Sequence, residues 1–538
     1  MNCISTPEGT RDLLFSATRA LRKTERAVRE TLEKRGYEEI ITPVMEYYDV
    51  FLHANPTQSQ EVMVKATDRN GRICVMRPDN TTPIARVAAS RFPDEAFPAH
   101  IYYCQKVIRA VADDHGHRGE VLQVGAELMG TDGLDADLDI LSAAFDALAS
   151  VGAGFRVELG HAGIYKGLIS SLGVSEETAE EIRTLIENKS FAALGDVLEP
   201  YRDREAYRAL KAMPQLFGGI EVLEEAERLT ENPEARAAFA YLKALLGALT
   251  KAGHGDAVMI DLGLVHELDY YTGVMFRGYA GGAGAAILRG GRYNALCGKF
   301  GRDLAAAGFA IDLEALTEAA PAAGYAEGSG RIRIALTKGR LEKKTLALLK
   351  NSGYDISELE SPSRKLIFSL PGSDIEVVLA KAADVITYVE HGVCDMGVVG
   401  KDTIMEKGGS FYEMVDLGFG KCRFAVATKK GRDVYGGYKM PVIATKYPAV
   451  AKAFFEKKNI DVVTIKIEGS VELAPLLELA DAIVDIVETG STLRENGLEV
   501  VEEVAPISAR VIVNLASAKL KKQQIQRVIG ELERGLEE

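Results

Sequence analysis

The sequence predicts two domains in series, an α+β domain followed by an α/β domain, and three observations carry that prediction. The chain has 538 residues, too many for one hydrophobic core. Thr317 to Gly330 is rich in small residues, carries Pro and Gly, and lacks periodicity, which is linker composition. Before it, strand-like runs are interrupted by a long helical tract; after it, strands and helices alternate. The predicted domains are residues 1–316, with a helical insertion at about 175–251, and residues 331–538.

Thr18 to Arg35 sets Leu21, Val28 and Leu32 among many charges, the pattern of an amphipathic surface helix that Gly36 stops. Tyr37 to Thr42 ends in a β-branched run and reads as a strand closed by Pro43. Arg72 to Met76 is a strand, a helix opens at Ile84, and Ile101–Tyr103 and Val107–Ile108 read as a member of a strand pair ending at Arg109. Asp113 to Arg118 is a polar loop, and Val121 to Met129 returns as a strand. His115 and His117 invite a metal reading, but two histidines without further ligands nearby are ordinarily solvated loop residues. Ser175 to Lys251 is Ala/Leu/Glu-rich and helical. Ala257 to Leu262 is a strand, and Leu268 to Gly273 leads into another. Gly281–Gly284 and Gly290–Gly291 punctuate an antiparallel hairpin; lying between strands, they make weak phosphate cradles.

Past the linker, Arg331 to Leu336 is a strand and Leu341 to Asn351 a helix. Strands follow near Ile375–Leu379 and Met396–Val399, with a helix within Asp384–Gly392 between them. Arg423–Thr428 and Val442–Thr445 are strands, Ala449–Lys457 a helix, Val462–Ile467 a strand, and a helix starts near Ser470. Ala482 to Val487 is a buried strand, and Leu515 to the end is one charged amphipathic helix.

The stretch with most chemistry is Asp481 to Leu493. A buried strand feeds the turn Thr489-Gly-Ser-Thr492, after which Arg494 to Gly497 can open a helix. Backbone N–H groups pointing out of such a turn hold phosphate. Gly490 allows close backbone approach, Thr489, Ser491 and Thr492 add hydroxyls, and Asp485 and Glu488 suit sugar hydroxyls or metal-bound water. The same pattern also fits a plain strand and a capped helix, with Ser491 or Thr492 as the cap. Lys338 and Arg340 lie between a strand and a helix, a position suited to anions, and Arg364 and Lys365 add two cations; each also fits a solvated surface charge.

Thr337-Lys-Gly-Arg340, Ser363-Arg-Lys-Leu366, Tyr388-Val-Glu-His-Gly392, Gly400-Lys-Asp402 and Glu488-Thr-Gly-Ser-Thr-Leu493, in that order, resemble the catalytic subunit of short-form ATP phosphoribosyltransferase, across Ile332 to about Leu536. The resemblance implies two α/β lobes like a periplasmic binding protein, with the active site in the cleft. It implies the first step of histidine biosynthesis: ATP N1 joins the ribose C1 of phosphoribosyl diphosphate (PRPP), and pyrophosphate leaves. It places PRPP on Asp485, Glu488, Thr489, Gly490, Ser491, Thr492 and Leu493, and gives Lys338, Arg340 and Arg364, with Mg²⁺, the leaving diphosphate. Asp384, Tyr388 and Lys401 fall on the ATP side.

The first domain is similar to histidyl-tRNA synthetase, from about Ser5 to Leu316, a class II fold on a six- or seven-stranded antiparallel sheet. Tyr37–Pro43 resembles its dimer-forming first motif, Arg77-Pro-Asp-Asn-Thr81 its Arg-Pro-Glu-Gly-Thr, and Leu268-Asp-Tyr-Tyr-Thr-Gly273 its histidine-specific motif. Arg109 falls on the second-motif arginine. Asp79, Thr81, Arg109, Gln123, Glu127, Tyr270 and Tyr271 are the histidine-binding residues this implies. The departures concern ATP. His266 and Ala315 stand where the synthetase has arginines, and Val111 and Ala112 replace a glutamate and an arginine. Losing two guanidinium groups from an adenylation site costs several kcal/mol of transition-state stabilisation. The anticodon-binding domain is missing. That combination resembles the regulatory subunit of the short-form transferase, so the chain reads as a fusion of the two subunits, with histidine as feedback inhibitor and a homo-oligomer formed through the synthetase-like domain.

Composition narrows the classes. Apolar content of 47% with 26% charged residues is that of an ordinary globular protein, and no apolar run is long enough to cross a membrane. The N-terminus has no secretory pattern. Six scattered cysteines without a Cys-x-x-Cys pair read as reduced thiols of a cytoplasmic enzyme. Net charge −14 disfavours nucleic acid as a partner. A tRNA-binding regulator tethered to a transferase, or a ligand sensor built on a transferase fold, are the competing readings.

Overall fold

The computed structural model describes residues 6–55, 62–110, 118–265, 271–320, 331–360, 365–436 and 439–537. It divides into two compact units, Met1–Ser329 and Gly330–Glu538. Val111, Ala112, His115, His117, His266, Tyr270 and Arg364, all singled out above, lie outside the described residues.

In the first unit six strands lie side by side and antiparallel: Ala99–Ile108, Glu120–Met129, Ala306–Asp312, Leu288–Arg292, Val274–Ala280 and Phe155–His161. Glu38–Glu39 adds a parallel strand at one edge, and Val258–Asp261 (parallel) and Phe217–Gly218 (antiparallel) extend the other. The sheet is therefore mixed and nine-stranded, not a purely antiparallel one of six or seven. The extra pairing at the far edge comes from the helical insertion and the segment that follows it. The strand expected over Tyr37–Thr42 pairs only at Glu38 and Glu39 in the ladder, because Thr42 N–H turns to the Gln105 side chain (3.0 Å) and Pro43 has no donor. The helix expected from Ile84 begins earlier and spans Thr81–Arg91, since Asp79 accepts from the Thr82 N–H at 2.8 Å.

Alternation divides this sheet into two faces. Val124, Ala126, Leu128, Val157, Leu159, Phe309 and Ile311 point into the main core, which the helices Phe15–Lys34, Leu134–Ala149, Ala162–Leu172 and Pro233–Lys251 complete. Gln123, Gly125, Glu127, Gly308 and Ala310 belong to the opposite face, where Ile84, Ala85 and Ala88 of Thr81–Arg91 pack in a smaller core with Tyr103, Tyr271 and Tyr293. The insertion is held to the sheet by Lys189, whose ammonium bonds the Pro214 carbonyl (2.8 Å) and Asp261 (3.2 Å).

The second unit has two sheets. The first runs Ile367–Ser369, Ile375–Ala380, Ile332–Thr337, Met396–Gly400, Ala509–Asn514, Phe411–Asp416; its Ile375, Ile332 and Met396 strands are parallel. The second runs Val463–Lys466, Val442–Thr445, Ala482–Val487, Cys422–Lys429, Leu498–Ile507, the first three parallel. Apolar clusters cover both faces of each sheet. The chain crosses between the lobes twice, at residues 417–421 and at Ser508. Two expected helices differ. Near Ser470 only Leu473–Leu476 is helical. The last helix is two, Leu515–Leu520 and Lys522–Glu537, because Lys521 turns its ammonium to Asp395 and the Arg331 carbonyl, each at 3.0 Å.

Candidate functional site

In the second unit the strand Ala482–Val487 ends at Glu488, and Gly490, at φ +70°, turns the chain into the short helix Ser491–Glu495. The helix opens at Ser491, earlier than the Arg494 expected, and Gly497 (φ +70°) redirects the chain into Leu498–Ile507. Gly490 occupies the cap position, so neither Ser491 nor Thr492 caps, and both hydroxyls stay exposed beside Glu488 and Thr489. Thr489 Oγ1 and Ser491 Oγ lie 3.0 Å apart and narrow the turn. Leu493 is buried with Ile483 and Val487; its side chain anchors the loop and only its backbone is offered to a ligand. Asp485 is half-buried and accepts from the Ile486 N–H at 2.8 Å; burial raises its pKa, against the pull of Lys446.

The facing lobe brings its own turn. Thr337 ends a central strand, with its hydroxyl on the Val398 carbonyl (2.8 Å), and Gly339 (φ +104°) starts the helix Arg340–Asn351. Ligands of α/β sheets gather at such carboxyl ends. Arg340 crosses the cleft, donating to Glu488 Oε2 at 2.6 Å and to Cys422 Sγ at 3.3 Å. Its pKa is raised, first by Cys422 and then by Glu488. Both partners of the ion pair are more than half exposed (56% and 59%), so the pair contributes at most about 1 kcal/mol and opens readily to a ligand. Lys338 is exposed in the same turn.

Asp384 and Tyr388 stand one turn apart on the exposed face of Ala382–Glu390. Lys401 is engaged inside its lobe by Glu413. Three contacts between the lobes had no local sequence signal. Cys422 touches Arg340; Tyr447 donates to Asp402 at 3.4 Å; and Glu406 accepts from the N–H groups of Ala449 (3.0 Å) and Val450 (3.2 Å), where the helix Pro448–Lys457 begins.

In the first unit Glu127 is 1% exposed and accepts from Thr81 Oγ1 (2.9 Å) and from the Tyr293 hydroxyl. Burial pushes its pKa from 4.5 up to about 8, more than those two donors pull it down. Gly308 makes the arrangement possible: a Cβ there would lie 1.5 Å from Glu127 Oε2. Gly125 likewise leaves room for the Tyr103 ring, and Gly291 for the Tyr271 ring. Gln123 accepts from Asn80 Nδ2 at 3.2 Å. Asp79 spends acceptor capacity on Thr82, through the N–H at 2.8 Å and Oγ1 at 3.3 Å, and burial raises its pKa. Arg109 Nε donates to the Pro78 carbonyl at 3.0 Å. The structure thus brings Asp79, Thr81, Gln123 and Glu127 to one face, and adds Tyr293, which no motif had marked, and Asn80, which lies inside the Arg77–Thr81 motif but had been given no role.

Residues 9–316 match the family model described as histidyl-tRNA synthetase, and residues 381–534 that of ATP phosphoribosyltransferase. Over 207 residues the chain is 56% identical to an ATP phosphoribosyltransferase of Clostridium kluyveri, which spans 38% of this chain and 94% of that protein. Over 317 residues it is 38% identical to an ATP phosphoribosyltransferase regulatory subunit of Clostridium acetobutylicum, covering 58% of this chain and 78% of the relative. A crystal structure of an ATP phosphoribosyltransferase regulatory subunit/histidyl-tRNA synthetase from Bacillus halodurans is similar at 28% identity and TM-score 0.55, over 71% of this chain and 93% of that one.

Proposed function

We propose that this chain, which belongs to the ATP phosphoribosyltransferase family through its second unit and to the histidyl-tRNA synthetase family through its first, senses histidine in the first unit and adjusts the transferase in the second. The transferase joins ATP N1 to C1 of PRPP and releases pyrophosphate, the first step of histidine biosynthesis. The observation that carries the mechanism is Arg340 of one lobe against Glu488 of the phosphate loop in the other, 2.6 Å apart.

Adenine N1 has a free lone pair at neutral pH, so attack requires no strong base. The barrier lies in parting C1 from pyrophosphate. The amides and hydroxyls of Glu488–Leu493 hold the 5′-phosphate, and Asp485 and Glu488 accept from the ribose hydroxyls. Arg340, Lys338 and Arg364 meet the charge that develops on the diphosphate. On PRPP binding Arg340 exchanges Glu488 for that diphosphate, which frees the carboxylate for the sugar. Asp384 and Tyr388 orient ATP. Holding both nucleotides in one cleft of a two-lobed, periplasmic-binding-protein-like domain supplies much of the remaining rate. Among the described residues no group of three or more His, Cys, Asp or Glu side chains assembles. Glu488 and Asp485, two carboxylates beside the phosphate loop, would hold a Mg²⁺ that enters with the diphosphate. When bound there it would supply positive charge against that of the leaving group.

The first unit keeps the histidine-facing residues and lacks the ATP-handling arginines at His266 and Ala315. With ATP and PRPP the chain is expected to form phosphoribosyl-ATP, followed by absorbance, and to give no histidine-dependent ATP–pyrophosphate exchange. Exchange above background would sink the sensor reading, and no product would sink the transferase mechanism.

Glu127 supplies a pH signature. Its folded pKa of about 8 lies above its ordinary value, so the empty pocket holds a proton at pH 7, and its contribution to stability falls as pH rises from the carboxylate range through about 8. Binding a cationic ligand group ionises it. Histidine binding at pH 7 should therefore release up to roughly 0.9 proton from this site, less whatever histidine itself takes up. Calorimetry in two buffers of different ionisation enthalpy reads that release, and Glu127→Gln should remove it; equal release in the variant would contradict the assignment.

Exposed apolar side chains support a homo-oligomer formed through the first unit. Ile41 is 79% exposed, and Val44, Met45, Tyr47, Leu52 and Ile73 are exposed in the same region.

A further inference from the structure

We propose that Arg289 holds the carboxylate of histidine in the first unit, in place of the arginine that the sequence lacks at position 266; this rests on the sensing role proposed above.

Arg289 lies on the strand Leu288–Arg292, on the same face as Glu127. Its row across the sheet reads Arg277, Arg289, Ala310, Gly125, Tyr103. The neighbouring row reads Met275, Gly291, Gly308, Glu127. Two strand spacings and one two-residue step put the Arg289 and Glu127 Cα atoms about 12 Å apart. Side chains reaching from both ends close that span to about the length of one amino acid. Between them lies Ala310; Gly308 and Gly125 in the same span are overlain by the Glu127 carboxylate and the Tyr103 ring, which would flank a ligand resting over Ala310. Glu127 meets a cationic group at one end; a zwitterion then requires a cation at the other.

Arg289 is that cation. It is exposed and makes no ion pair among the described residues. Directly opposite stands Arg277, and like charges facing across a ladder are unfavourable. Arg277 is committed to Glu187 at 2.5 Å, and its Nε is buried without a hydrogen-bond partner. Glu187 thus compensates one of two adjacent guanidinium groups. A carboxylate is the fitting anion because Glu127 lies one amino acid away, and a guanidinium binds it in a two-point fork.

The test is calorimetry on the full chain with histidine and with histidinol, which lacks the carboxylate. Wild type should bind histidine at least about tenfold more tightly than histidinol. Arg289→Met should weaken histidine about tenfold or more and leave histidinol within about twofold, and Arg289→Lys should restore part of the difference. Histidine and histidinol weakened together would mean a structural role and overturn the assignment. So would unchanged histidine affinity, or a variant that loses pyrophosphate or AMP binding while histidine is unaffected. Wild type that does not bind histidine would bring down the sensing role itself, whereas histidine binding indifferent to Arg289 would bring down only this assignment.

Discussion

Arg340→Ala is expected to lower kcat for phosphoribosyl-ATP formation roughly 10²–10³-fold while the KM for PRPP changes by less than about fivefold. In the empty cleft Arg340 is spent on Glu488 at 2.6 Å and Cys422 at 3.3 Å, a pair open enough to break when a diphosphate enters. Ground-state binding therefore gains little, because one anion is exchanged for another. The gain comes as the C1–oxygen bond breaks and negative charge grows on the departing group. An interaction realised there appears in kcat. Arg340→Lys keeps the charge and loses the fork, and should fall between wild type and Ala. Stopped-flow absorbance at saturating ATP and PRPP reads kcat; a variant as fast as wild type would remove Arg340 from the mechanism.

Glu127→Ala and Gly308→Ala are expected to raise the histidine concentration needed for half-inhibition by roughly 30- to 1000-fold. Glu127 is a buried carboxylate with two hydroxyl donors already in place, so removing it strands the cationic end of the ligand. Gly308→Ala reaches the same end without touching the carboxylate. The new Cβ would fall 1.5 Å from Oε2, and Glu127 must leave its position. Tyr271→Phe should give a smaller shift, since the ring packed over Gly291 is retained. Each variant is compared with its own uninhibited rate.

Much of the candidate site in the second unit was legible because its pattern is local. Ala482–Val487 is an apolar run ended by small polar residues, and the structure keeps that strand with the same bounds. Contacts that depend on chain crossing were not legible. Arg340 and Cys422 are 82 residues apart, and nothing at either position announces the other. Leu498–Ile507 escaped notice because two register shifts and an exposed Glu/Val pattern blur its alternation. In the first unit Glu127 was marked only through the family resemblance, and Tyr293, which donates to it, is 166 residues distant. The glycines were visible as turn punctuation, whereas Gly291 and Gly308 serve as space for Tyr271 and Glu127 within strands. That role depends on which residue lies across the ladder, and spacing along the chain does not carry it.

Titration of the initial rate of phosphoribosyl-ATP formation with histidine, at saturating ATP and PRPP, in wild type and in Gly308→Ala, tests the coupling of the two units most directly. A histidine-sensing transferase gives inhibition in the wild type and a curve displaced by at least about 30-fold in the variant. A wild-type rate indifferent to histidine, or identical curves for the two proteins, would contradict it.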